Sequence, residues 1–179
     1  MEKRKWEAKT SKWKAALEKG MDVSLKGNEN IFYLGASSGT TVGHLSERTK
    51  GTIYAVEKAF MMAIPLVKLA QKRENIMPLF CDARDTNYMK EKIDCATINI
   101  LFCDIPSSDQ VDILIRASSL VGKDCKILFS LKTQSISQGN PMETLKNVEK
   151  NLGEAFEVKD VKSIEPFHKK HWFFVLEKK

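Results

Sequence analysis

The sequence is short of several features that mark common protein classes. Its four cysteines, Cys81, Cys95, Cys103 and Cys125, stand 14, 8 and 22 residues apart, so no C-x-x-C pair offers a zinc site. Three of them fall in or beside apolar runs and read as small core residues, which suits a reducing compartment better than a disulfide scaffold. No apolar run reaches the ~18 residues of a membrane span, and the opening residues are charged and amphipathic rather than apolar. A cytoplasmic protein is therefore expected. Histidine is scarce as well: His44, His168 and His171 are too few and too scattered to argue for a metal. There is no G-x-G-x-x-G and no Gly-Lys-Ser/Thr, so neither the dinucleotide fingerprint nor the phosphate-gripping loop is present. Repeats and low-complexity tracts are absent too.

What remains is one domain's worth of chain. At 179 residues it is long enough to bury ~70% of its unfolded surface, ample for one sheet covered on both faces. The formal net charge is +6, and the basic residues crowd both ends, from Lys3, Arg4, Lys5, Lys9, Lys12 and Lys14 to Lys169, Lys170, Lys178 and Lys179. Such an excess favours a polyanion such as RNA, although lysine used for solubility gives the same count.

The stretch around which the rest is organised is Ile31–Thr41, I-F-Y-L-G-A-S-S-G-T-T. An apolar run ending at Gly35 reads as a buried parallel strand, and Gly39 opens a helical pattern. Strand, glycine-bounded loop and helix start form a nucleotide-type binding corner, where glycines let backbone N–H groups approach a ligand. The G-x-x-x-G spacing suits a ligand without a pyrophosphate, of which S-adenosylmethionine is the common one. Then 22 residues past Gly35, the strand Thr52–Glu57 ends in an acid able to accept from both ribose hydroxyls of an adenosine.

Along the chain, residues 1–20 read as a basic amphipathic helix. Helices are expected over Gly39–Arg48, Ala59–Arg73, Tyr88–Lys92, Ser108–Leu120 and Glu143–Leu152. Met61 and Met62 read as core filler, Ser108 as a helix cap, and Gly153 as lying just past a helix end. Strands are expected at Ile76–Cys81, Ala96–Asp104, Cys125–Lys132, Phe156–Ile164 and Trp172–Glu177. Alternating strands and helices imply an α/β fold with a parallel sheet. Only Glu165–His171 joins the last two strands, too short for a parallel crossover, so these two should be antiparallel neighbours. This is the Rossmann-like architecture of class I S-adenosylmethionine-dependent methyltransferases, with seven strands, one of them reversed. Residues 1–179 are read as one domain, its core at 31–179.

Ligands in such sheets bind beyond the carboxyl ends of the strands. There the sequence places the Gly35–Thr41 loop, Glu57, Asp82 and Ala83, Asp104, and Lys132. Several acids and a lysine on one rim point to a ligand. Asp104 and Lys132 end neighbouring strands, where they are expected to meet, and such a pair suits deprotonation of a ribose 2′-hydroxyl; a plain salt bridge is the alternative. His171, just before the last strand, faces the same rim.

These residues resemble the fibrillarin family, above all its archaeal RNA 2′-O-methyltransferases. Tyr33–Thr41 resembles Y-L-G-A-A-S-G-T-T, Tyr54–Glu57 resembles Y-A-V-E, Asp82–Arg84 resembles D-A-R, and Asp104–Gln110 resembles D-V-A-Q-P-D-Q. The resemblance implies S-adenosylmethionine as cofactor, held by Gly35, Ala36, Gly39, Thr40, Thr41, Glu57, Lys58, Asp82, Ala83, Asp104, Ile105, Pro106, Ser107 and Gln110. It implies a catalytic set of Lys12, Asp104, Lys132 and His171. It further implies a box C/D guide ribonucleoprotein with guide RNA, target rRNA or tRNA, a Nop-family scaffold protein and a kink-turn-binding ribosomal-type protein. Lys58 replaces a phenylalanine of the family pattern, Ile105–Ser108 replaces V-A-Q-P, and the family's small N-terminal β domain is largely missing. A stand-alone methyltransferase and a structural subunit of the particle are the alternatives.

Overall fold

A computed structural model describes residues 5–179, so Lys3 and Arg4 of the expected basic opening lie outside the described residues. The described residues form a seven-stranded sheet. Its strands are β1 (Asn30–Leu34), β2 (Ile53–Val56), β3 (Ile76–Leu79), β4 (Ile98–Cys103), β5 (Lys126–Lys132), β6 (Phe156–Ser163) and β7 (His171–Lys178), in the spatial order β3-β2-β1-β4-β5-β7-β6. β3, β2, β1, β4 and β5 pair in parallel, whereas β7 pairs antiparallel with both β5 and β6. The expected sheet with one reversed strand is therefore the one adopted. The order reverses between β1 and β4, which puts the binding crevice at their carboxyl ends.

Helices α1 (Lys12–Glu18), α2 (Thr40–Ser46), α3 (Phe60–Ala70), α4 (Thr86–Lys92), α5 (Gln110–Ser118), α6 (Thr133–Ile136) and α7 (Pro141–Ala155) surround it. Side chains of a strand alternate between faces, and the strands of this sheet bury both. From β1, Phe32 and Leu34 join one core with Met89, Leu114, Val148 and Leu152, while Ile31 and Tyr33 join the other with Trp13, Val42, Leu45 and Leu66. Among the described residues no helix is long and apolar enough to cross a membrane.

Several expected elements are corrected. Among the described residues the opening helix is confined to Lys12–Glu18, because Ser11 is extended and its Oγ accepts from the Lys14 N–H at 3.2 Å as an N-cap. Upstream, Trp6 is drawn onto α2, stacked on His44 at 5.6 Å with the Arg48 guanidinium 4.5 Å from its ring centre. Ser108 does not cap α5. The N-cap is Asp109, whose carboxylate is held by Arg84 instead. Gly153 lies inside α7, which runs straight into β6. Met61 and Met62 are exposed by 71% and 43%, because α3 turns Ala63 and Leu66 to the sheet and its first turn outward with Phe60. The four-residue helix α6 is absent from the sequence reading.

Candidate active site

A cavity of about 450 Å³ opens at the carboxyl ends of β1, β2, β3 and β4. It is lined by Lys12, Gly35, Ser37, Val56, Glu57, Lys58, Cys81, Asp82, Ala83, Arg84, Asp104, Ile105, Pro106 and Ser107. Ten of the residues read from the sequence thus meet in one place: Lys12, Gly35, Glu57, Lys58, Asp82, Ala83, Asp104, Ile105, Pro106 and Ser107.

Gly35 has φ +83°, and a Cβ there would lie 2.5 Å from the Asp104 carbonyl oxygen. The residue is therefore what lets the loops after β1 and β4 cross in contact. The two glycine N–H groups and that of Ala36 are not turned to a ligand, however. Gly35 and Ala36 both donate to the Val56 carbonyl, at 3.0 and 2.9 Å, and Gly39 donates to Ala36 at 3.0 Å. The glycines supply shape rather than donors. Gly39, also at φ +83°, would press a Cβ to 2.9 Å from Leu69, so its bareness seats α2 against α3. Neither Ala36, Gly39, Thr40 nor Thr41 lines the cavity.

Glu57 accepts from the Ser37 N–H at 2.8 Å through Oε2 and from the Ala59 N–H at 2.7 Å through Oε1. Each oxygen keeps lone-pair capacity for a further donor, so the carboxylate is fixed yet open to a pair of hydroxyls. On the facing wall Arg84 grips Asp109 with Nε and Nη2 at 2.8 and 2.7 Å and Asp82 with Nη1 at 2.9 and 3.0 Å, and Nη2 reaches Ser107 Oγ at 3.1 Å. This fork locks the loops after β3 and β4 together. Burial pushes the Asp82 carboxyl up, but the Arg84 amide and guanidinium and Lys58 outweigh it and hold the group below the ordinary carboxylate range. Arg84 stands in the D-A-R-D run without being read as a site residue; an arginine between two acids at a strand end is the signal that marks it. Lys58 Nζ reaches Asp82 at 3.3 Å across the mouth. Burial pushes the Cys81 thiol up to about 11, so it lines the wall protonated rather than as a nucleophile.

Asp104 is paired with Lys12 rather than Lys132. Lys12 Nζ lies 2.9 Å from Oδ1 and 3.0 Å from Oδ2. The β4–β5 register sets Cys103 opposite Phe129, so Asp104 is level with Ser130 and Lys132 extends beyond it. The Lys12 position is prepared by its neighbours. Ser11 Oγ accepts from Thr41 Oγ1 at 3.0 Å, Trp13 is fully buried with Nε1 donating to the Val23 carbonyl at 2.8 Å, and His168 Nε2 contacts the Ala8 carbonyl at 2.8 Å. Thr41 is thus a strut beneath Lys12, buried away from the cavity. Lys132 and His171 are direct cross-strand partners in β5 and β7. The His171 imidazole is held below its ordinary range chiefly by burial and by Lys12, against the Lys169 carbonyl and Asp104, which act the other way. Gln110, expected at the cofactor, is fully buried with its amide bonded to main chain, outside the cavity.

Comparison with known proteins places this geometry. The family model described as Fibrillarin matches residues 1–179. The chain belongs to the fibrillarin family. A fibrillarin-like rRNA/tRNA 2′-O-methyltransferase of Archaeoglobus fulgidus is 35% identical over 176 residues, covering 95% of this chain and 81% of the relative. The fibrillarin of a fibrillarin/Nop5p complex superposes with a TM-score of 0.94 at 31% identity, over 98% of this chain and 85% of that one. Aeropyrum pernix fibrillarin with natively bound S-adenosyl-L-methionine gives 0.85 at 31% identity, over 96% and 76%. The fold is thus that of the fibrillarin methyltransferases.

Proposed function

We propose that the chain transfers the methyl group of S-adenosylmethionine to a ribose 2′-hydroxyl of rRNA or tRNA. The observation that carries this reading is an adenosine-sized cavity whose wall holds the Lys12–Asp104 ion pair, with the Lys132–His171 cross-strand pair at the carboxyl end of the neighbouring strand β5. The names of the fibrillarin relatives support it. The cavity residues fit the cofactor: Glu57 accepts from the ribose hydroxyls, Asp82 and Ala83 face the adenine edge, and the Gly35 crossing with Asp104–Ser107 leaves room for the amino-acid end. Bound S-adenosylmethionine supplies a methyl group activated by the sulfonium charge.

The chain's own groups do the rest. Lys12 holds the Asp104 carboxylate aimed at the rim through their ion pair. Asp104 and Lys132 handle the 2′-proton, while Lys12 and His171 orient the target ribose. Residues 1–179 act as one methyltransferase domain. It works in a box C/D particle, in which guide RNA pairs with the target and supplies sequence choice, beside a kink-turn-binding protein. The protein docks on a Nop-family scaffold, a reading supported by the fibrillarin/Nop5p complex and by the exposed apolar turn Phe60, Met61, Met62 and Ile64 of α3.

Reconstitution tests this. The assembled particle with a guide should methylate its target, and the isolated chain should bind RNA only weakly with a steep salt dependence. Site-specific methylation by the chain without guide or partners contradicts the reading.

A further inference from the structure

We infer that Gln110 is a positioning residue for Lys132, clamping its main chain where β4 no longer can. The inference rests on the proposed function, in which Lys132 serves methyl transfer. The β4–β5 ladder ends with Cys103 opposite Phe129, after which the β4 chain turns away into the loop that lines the cavity. The last residues of β5 are left without a parallel neighbour. Gln110, the first residue of α5, fills that gap with its side chain, and it is 0% exposed. Oε1 accepts from the Lys132 N–H at 3.0 Å, and Nε2 donates to the Lys132 carbonyl at 3.2 Å. The amide thus offers one donor and one acceptor to a single residue, as a neighbouring strand would.

Nε2 also donates to the Ser107 carbonyl at 2.7 Å, which ties Lys132 to the cavity wall. On the other flank Lys132 pairs with His171, and the next N–H, of Thr133, goes to the Lys170 carbonyl at 3.2 Å. The main chain of Lys132 is held from both sides. Among the described residues, by contrast, its ammonium makes no ion pair, unlike that of Lys12. The backbone clamp therefore sets where the Lys132 side chain starts, and no charged partner among the described residues sets its end.

The test uses Gln110→Met, which keeps the length of the side chain and removes its polar atoms. In the assembled particle, at saturating target RNA and cofactor, the single-turnover rate should fall about 10²-fold, the scale of a small misplacement of a reacting group. Cofactor affinity should stay within about twofold, and the Lys132 amide should exchange hydrogen faster while Leu128 and Phe129 keep their protection. In a Lys132→Ala background the same change should cost no further rate, because a residue acting through Lys132 has nothing left to position. An unchanged rate in Gln110→Met, or an equal loss with and without Lys132, overturns the inference. If Gln110→Met does not fold, Gln110→Glu is read by the rates alone, because it keeps the acceptor for the Lys132 N–H and sets an oxygen against two carbonyls. Should the unaltered particle fail to methylate, the functional reading falls, and exchange at Lys132 alone decides the clamp: protection retained in the variant overturns it, protection lost supports it.

Discussion

Replacing Lys12 by methionine tests how the rim is held together. The ammonium and the Asp104 carboxylate lie 2.9 Å apart with side chains exposed by only 24% and 12%. At an effective dielectric near 20, their gross attraction is about 6 kcal/mol. Desolvation and lost side-chain freedom offset most of this, so a coupling of about 1–2 kcal/mol is expected, between the values for exposed and fully buried pairs. Lys12→Met removes that coupling and leaves a nearly buried carboxylate unpaired. For a domain of this size the melting temperature should fall by roughly 2–8 °C, at about 2–4 °C per kcal/mol. Asp104→Asn in the same chain should recover part of the loss, since it removes the stranded charge. Chemical denaturation of both single variants and the double variant closes the cycle. Additivity within about 0.3 kcal/mol refutes the argument and reduces Lys12 to a solvated lysine that happens to lie near Asp104.

Glu57→Ala should weaken S-adenosylmethionine binding by on the order of 1.5–3 kcal/mol for each ribose bond lost, and titration calorimetry with unchanged affinity removes Glu57 from the site. Lys132→Arg should transfer methyl roughly 10²–10⁴-fold more slowly in single turnover with cofactor affinity intact, because guanidinium does not give up a proton; wild-type rates make the lysine only a positive charge. Burial holds His168 and His171 below their ordinary range, so folding favours the neutral rings. Their contribution is therefore present above about pH 6.5 and is lost as the pH falls through the depressed native values. Melting temperature should drop between pH 7 and 5, and a His168→Gln/His171→Gln chain should show a flatter profile; equal slopes contradict the assignment.

The sheet was legible because its signals are local and redundant. Each parallel strand is a short apolar run with a turn residue or acid at its end, and the short Glu165–His171 link forces the reversed pairing. The acids at the ends of β2, β3 and β4 follow once the strands are placed, and Glu57, Asp82 and Asp104 line one cavity. What stayed hidden depends on contacts distant in sequence. Lys12 meets Asp104 across 92 residues, and the register that carries Lys132 past Asp104 is decided by the β4–β5 ladder. Gln110 is polar and next to a motif, so it reads as a ligand contact, yet its amide completes the sheet. The exposed first turn of α3 misleads the other way, since Phe60, Met61 and Met62 carry a core composition on a surface that the sheet does not cover.

The most direct measurement of the central claim is methyl transfer by the reconstituted particle to two targets that differ in one atom. One carries a ribose at the guided nucleotide and the other a 2′-deoxyribose, with mass spectrometry reading the product. The account predicts a single added methyl at the guided ribose and none on the deoxy target. Equal methylation of both targets places the methyl elsewhere than the 2′-oxygen and contradicts it.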